Sequence, residues 1–290
     1  MRRVFRIVVL GCAVLLLTGC SASEKSDALW EQVKIGDIAP SGQGKRSIGQ
    51  PLMTIDFVVH LFEMPAENIS ALDNVWWTLY TKPLRFNDSD AFSSNLFSVG
   101  FGQVQMWNKV RNSLQAAGGK KIKTISLLLL DGQADDLVVA TLGNELTIFY
   151  ASTDGSMEGA TIGPGELSLR MKAQKIPGSR GVCSVDVQPV FSPPIISSIP
   201  QLAARTKSGE FLFASAGFSL KMSPGDFVFL GPKKYSSDQM TLAGLFFSRS
   251  APSPSIRMFL IPPSKDTEKP MPYFGPVVRT YMIVCTRISD

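Results

Sequence analysis

Apolar and polar residues alternate with a period of two along most of this chain, the pattern of strands that bury one face and wet the other. The first such run is Met53-Thr54-Ile55-Asp56-Phe57-Val58-Val59-His60-Leu61-Phe62, with Pro65 as its stop. The period then lengthens. Ile69, Leu72, Trp76 and Leu79 share one helical face, and Ser70 with Asp73 three residues on has the form of an N-terminal cap, which predicts a helix over 71–80. A strand is expected at 96–101. A second helix is expected from Val104, with Val104, Trp107, Val110 and Leu114 on one face and Gly118-Gly119 as its stop. Residues 50–120 are thus expected to form a small β-α-β-α unit.

From Lys123 onward short apolar runs recur between Gly, Pro, Asp and Asn. Strands are expected at 124–130, 136–142, 145–150, 166–175, 182–191, 211–221, 226–230, 241–248, 256–261 and 279–288. The cleanest alternation is Glu166-Leu167-Ser168-Leu169-Arg170-Met171-Lys172. No helical period interrupts these runs. The fold class expected is therefore α+β: the small β-α-β-α unit over 50–120, then a mostly antiparallel β sandwich or open barrel over 121–290. Gly163-Pro164-Gly165-Glu166 and Ser223-Pro224-Gly225-Asp226 each place Pro-Gly just before a strand, which predicts two type II turns. Neither opens a helix, as a phosphate-binding loop would.

The amino terminus follows another rule. Arg2, Arg3 and Arg6 precede an apolar run from Ile7 to Leu17, which has the form of a secretory signal and is too short to span a bilayer stably. The run closes on Leu17-Thr18-Gly19-Cys20, which resembles the bacterial lipobox. That resemblance implies cleavage between Gly19 and Cys20, a thioether-linked diacylglyceryl group on Cys20 and acylation of the new amino terminus. Small Thr18 and Gly19 leave the backbone open to a peptidase, and only a thiol can become the thioether. Two or three acyl chains hold a protein to a membrane far more firmly than one. Residues 1–19 are then a signal peptide. Residues 20–49, with Ser21-Ala22-Ser23-Glu24-Lys25-Ser26-Asp27 and a Gly/Ser-rich stretch over 39–47, are expected to be a flexible linker. Ser21 stands where an Asp would resemble an inner-membrane retention signal. The expected location is accordingly the cell envelope, lipid-anchored in the inner leaflet of an outer membrane and facing the periplasm.

Removing the signal changes the charge argument. The chain has 29 Lys+Arg against 24 Asp+Glu, a formal +5. Three of those arginines leave with the signal, so the mature body is nearly neutral. No nucleic-acid partner is expected. Of the four cysteines, Cys12 is discarded and Cys20 is lipidated, leaving Cys183 and Cys285 in strand-like runs. Two small buried hydrophobes and a disulfide between Cys183 and Cys285 are both open readings.

The search for chemistry finds little. His60 is the only histidine, set between Val59 and Leu61 in a strand, where a partly buried structural role is expected. One histidine and two cysteines cannot assemble the usual soft-ligand metal site, and no cofactor is expected. No Ser-His-Asp arrangement or Gly-x-Ser-x-Gly elbow is legible. Asp135-Asp136 has the look of a solvated turn, not an acid/base pair. In Trp76-Trp77, the first residue fits the buried helix face and the second points elsewhere. The chain is thus expected not to be an enzyme.

One further likeness sits in the β-rich part. Val185-Asp186-Val187-Gln188-Pro189, Gly225-Asp226-Phe227-Val228-Phe229-Leu230-Gly231, Leu242-Ala243-Gly244-Leu245-Phe246-Phe247 and Arg257-Met258-Phe259-Leu260-Ile261-Pro262 occur in the order of four segments of the secretin β domain. The stretch 182–262 therefore resembles that family in part. The family's Val-Pro-x-Leu-Gly segment is replaced by Lys233-Lys234-Tyr235-Ser236-Ser237-Asp238, and its repeated soluble modules and gate hairpins are absent. The resemblance thus implies a shared β topology without a pore. The body as a whole is similar to exported proteins of planctomycete-type bacteria, which implies architecture and compartment but no activity. The expected function is a membrane-anchored envelope lipoprotein, a non-enzymatic structural or assembly component with a protein partner at exposed sheet edges. The alternatives are a secretin-like or pore-associated oligomer and a binding module for an apolar ligand.

Overall fold

The computed structural model describes residues 53–194, 209–235, 241–249 and 275–289. The signal, Cys20, the linker and the expected strand at 256–261 lie outside them.

Two antiparallel sheets carry the fold. In the first sheet the order is β3 (Phe97–Gln103), β12 (Asp226–Pro232), β14 (Val277–Ile288), β1 (Thr54–Pro65) and β4 (Lys120–Leu130), with the two-residue β13 (Ser248–Arg249) on β14. In the second it is β2 (Arg85–Phe86), β11 (Phe218–Met222), β9 (Cys183–Ser192), β8 (Gly165–Lys175) and β5 (Ala134–Leu142), with β10 (Phe211–Leu212) on β9. A hairpin of β6 (Leu146–Ala151) and β7 (Met157–Ile162) stands apart as a two-stranded sheet.

The period-two pattern explains how these layers stack. Ile55, Phe57 and Val59 of β1 and Tyr281, Ile283 and Cys285 of β14 point to one side, where they meet Leu167, Leu169 and Met171 of β8 and Val185 and Val187 of β9. That is the sandwich core. The opposite face of the first sheet is also apolar. Phe62, Met64, Phe227, Phe229 and Met282 pack there against Leu72, Val75, Val110 and Leu114 from a helical layer. The result is three layers: helices, a sheet covered on both faces over β12 and much of β14, and a sheet with one wet face. Among the described residues the strands form a sandwich and no closed barrel.

The helical layer holds a 3-10 segment (Ala66–Leu72) running into α1 (Asp73–Trp76), and α3 (Trp107–Ala116). In place of the helix expected over 71–80, a 3-10 segment begins at Ala66 with Pro65 as its N-cap and the α-helix ends at Trp76; Ser70 caps nothing because it lies inside the 3-10 segment. Val104 is exposed, sitting in a 3-10 turn before α3, while Val110 and Leu114 are buried as expected. Close packing of this layer needs small residues in β3. A Cβ on Gly100 would lie 2.6 Å from Leu79 Cβ, and one on Gly102 would lie 2.3 Å from the Phe227 ring.

The strands expected in 50–120 and those near the carboxyl end share the first sheet. β1 lies between β4 and β14, and β3 pairs with β12. The partners of β1 and β3 all lie later in the chain, β4 starting at Lys120, β12 at Asp226 and β14 at Val277. A short helix α2 (Ser89–Ser94), capped by Asp88 accepting from Ala91 N at 2.8 Å, and strand β7 were not expected. The strand expected at 241–248 is instead a helix, α4 (Leu242–Phe247). Thr241 Oγ1 accepts from Gly244 N at 3.2 Å and caps it, and all six helical residues are buried. An apolar run this short, buried all round, has no period that separates helix from strand.

The two Pro-Gly turns also part company. At Ser223–Asp226 the turn closes with Asp226 N donating to Ser223 O at 3.0 Å, and Gly225 has φ 92°, as a type II turn requires. It joins β11 of one sheet to β12 of the other. Gly165 is not in the left-handed region. A Cβ there would lie 2.4 Å from Ser192 O, so glycine serves close strand approach instead.

Candidate functional site

The wet face of the second sheet bears one concentrated cluster of charge. β8 alternates, so Glu166, Ser168, Arg170 and Lys172 point outward while Leu167, Leu169 and Met171 point to the core. Antiparallel register sets Arg170 directly opposite Asp136 of β5. Arg170 Nε donates to Asp136 Oδ1 and Nη2 to Oδ2, both at 2.7 Å. From its other side Nη1 donates to Glu210 Oε2 at 2.8 Å and Nη2 to Oε1 at 3.1 Å. Two carboxylates thereby grip one guanidinium in paired, charge-assisted bonds. The hydrogen bonds to Asp136 and then Glu210 push Arg170 further above its ordinary value. It stays cationic at any pH the fold meets.

This cluster lines a cleft of about 570 Å³ that also includes Glu166, Ser168 and Ser192. The Ser192 Oγ is enclosed and has no hydrogen-bond partner among the described residues. Acids from separate segments therefore converge in a concavity, which the sequence did not foretell. Asp136 is not the solvated turn residue expected; it is half of an ion pair, while its neighbour Asp135 is exposed and accepts from Asp136 N at 2.9 Å. What the cluster does chemically is limited by Arg170. The cleft lining holds no histidine or cysteine, and Asp136 and Glu210 each have both oxygens bonded to the guanidinium. The group acts as a brace that ties the segment at Glu210 to the face of the sheet.

The other expected sites fall elsewhere. His60 lies on the helical side of β1. Its Nδ1 is 3.1 Å from Thr124 Oγ1, and its ring meets Trp107 edge-on with centroids 5.4 Å apart. Burial, then the charge of Lys121, holds its pKa below the usual imidazole value. Trp76 packs on Phe229 with centroids 5.1 Å apart, whereas Trp77 is 88% exposed. Cys183 and Cys285 are both free and buried in the sandwich core. Among the described residues no group of three or more His, Cys, Asp or Glu side chains could hold a metal ion, and no helix is long and apolar enough to cross a membrane.

A second surface has no charge cluster but has open backbone. β4 and β5 are the outer strands of their sheets and contact each other across the sandwich. Between them runs a groove of about 320 Å³ lined by Leu61, Ile122, Ile125, Leu137 and Val139, with Lys123 and Arg279 also in its lining. Lys120, Lys121 and Lys123 guard the start of β4, but Thr124–Leu130 carries no charge, and Leu128 is 61% exposed. Among the described residues no strand pairs with the outer edge of β4.

Comparison with known proteins adds little to this geometry. No protein-family model matches the chain, and no curated protein matches it. Solved structures it is similar to include secretins. The secretin domain β-barrel of InvG from the Salmonella SPI-1 injectisome matches with 13% identity and a TM-score of 0.21, over 82% of this chain and 62% of that one. The Vibrio cholerae type IV competence pilus secretin PilQ matches with 11% identity and a TM-score of 0.24, over 84% and 62%. The chain thus spans about three fifths of the length of the secretins it matches. Likeness at these TM-scores carries no argument about fold or role.

Proposed function

We propose that this chain is a lipid-anchored component of the bacterial envelope, held by Cys20 in the inner leaflet of an outer membrane, with a non-catalytic body that docks a protein partner. The lipobox at Leu17–Cys20 motivates the anchor. The observation that carries the docking role is the open edge of β4, where the uncharged run Thr124–Leu130 continues from a groove that joins apolar side chains with Lys123 and Arg279. Unpaired N–H and C=O groups on such an edge accept an added strand, and the groove supplies sites for its alternate side chains. The three lysines at one end limit promiscuous pairing and favour an acidic flank on the partner.

Two features support a non-catalytic reading. The converging acids of the cleft are engaged by Arg170, and the space between the sheets is filled by Phe213, Phe246, Phe247 and their neighbours, which leaves an apolar ligand no obvious room. The test is site-specific photocrosslinking from Leu128 in the full acylated chain within its native membrane. A discrete protein adduct from Leu128, absent when the probe is placed at exposed Lys172 on the wet face of the second sheet, is expected. Equal adducts at both positions, or none at Leu128, overturn the docking role. Adducts to further copies of this chain would favour the oligomer reading instead.

A further inference from the structure

Cys183 opens β9 in one sheet, Cys285 lies in β14 of the other, and both are fully buried. The chain itself brings them together. Cys183 is the cross-strand partner of Met222, the last residue of β11. From Met222 the chain turns through Ser223–Asp226 into the other sheet, and on that turn Gly225 N donates to Cys285 O at 2.8 Å. Stacked sheets stand about 10 Å apart in general, and here a four-residue turn crosses from one to the other. The two side chains enter the same buried core from opposite sheets at this corner, near enough that each is the largest influence on the other's titration. Cys183 Sγ also donates to Met222 O at 3.6 Å. Both are free thiols in this structure.

We propose that Cys183 and Cys285 are a disulfide pair, a covalent staple across the sandwich at the β11–β12 corner that forms as the exported chain folds. The setting favours pairing over the other fates of a buried thiol. The two cysteines come from opposite sheets into one buried core, and among the described residues no third ligand completes a metal site. The bond joins positions far apart in sequence, so it removes much freedom from the unfolded chain. Full burial means that the exchange precedes closure of the corner. The Cys183 thiolate attacks a disulfide of a thiol–disulfide oxidant and displaces one of its sulfurs as a thiolate. Cys285 then attacks the mixed disulfide, forming the S–S bond and releasing the second sulfur. Two electrons and two protons pass from the cysteines to the oxidant, which leaves as a dithiol.

The inference rests on export only for its oxidising compartment, so one arm of its test does without export. The purified full chain is unfolded, reduced and refolded with oxidised or with reduced glutathione. It is then acid-quenched, alkylated in denaturant and digested without reduction. A Cys183–Cys285 cross-linked peptide is expected from the oxidised sample alone, with a Tm higher by on the order of 10 °C than in the reduced sample. Full alkylation of both cysteines in both samples, or either residue paired with glutathione or with Cys20, overturns the proposal. In the second arm the protein is taken from cells after export. The same peptide there extends the staple to the living envelope. Its absence there, with pairing intact in the refolded protein, counts against export into an oxidising compartment and leaves the geometry standing.

Discussion

Arg170 and Asp136 meet through two parallel hydrogen bonds of 2.7 Å, one from Nε and one from Nη2. Their side chains are only 26% and 33% exposed, so water screens the pair less than a typical surface ion pair. Lysine keeps the charge but cannot bond both carboxylates in this forked geometry. Arg170→Lys is therefore expected to lower stability by about 1–2 kcal/mol in urea denaturation. A variant as stable as the parent would show the brace to be ornamental.

Asn95 does comparable work in the core, where it is 4% exposed. Its Oδ1 accepts from Ala151 N at 2.8 Å, and its Nδ2 donates to Ala151 O at 2.9 Å and Ser215 Oγ at 3.2 Å. This pins the β6–β7 hairpin to the residue that ends α2. Asn95→Ala strands both polar groups of Ala151 and is expected to cost about 2–4 kcal/mol. Hydrogen exchange should show the loss first at Ala151.

Gly102→Ala is expected to cost about 1–3 kcal/mol, because Phe227 is fully enclosed and cannot yield to a new methyl group. Gly143→Ala is the matched control. Nothing lies within 4 Å of a Cβ there, so thermal unfolding should barely move.

His60 gives a defined pH dependence. Its folded pKa lies below the ordinary 6.5, so the unfolded chain binds the proton more readily. The contribution is full above pH 6.5 and is lost as pH falls through the folded value. With a single histidine in the chain, one proton resonance reports it without ambiguity. It should titrate below 6.5, and His60→Gln should flatten the stability profile across that window. Titration at or above 6.5 contradicts the burial argument.

How legible these features were in the sequence depended on their range. The alternation of Ile55, Phe57 and Val59 and of Leu167, Leu169 and Met171 marked strands and their buried faces directly, because each strand's face is a local property. Pairing is not local. Nothing in Phe57 indicates that it sits opposite Cys285, and nothing in Arg170 indicates that Asp136 and Glu210 converge on it. The alternation did place Arg170 on the wet face, so half of the site was visible without its partners. Leu242–Phe247 misled for a different reason: six residues buried all round carry no period that separates helix from strand. Gly165 misled because glycine before a strand serves tight strand approach as well as a turn.

The central claim is that Cys20 carries the lipid that holds this body in the envelope, and metabolic labelling tests it most directly. Cells producing the full chain are fed labelled palmitate beside cells producing Cys20→Ser. The account predicts label in the parent protein, recovered with membranes, and none in the variant. Label retained by Cys20→Ser, or an unlabelled parent, would contradict it.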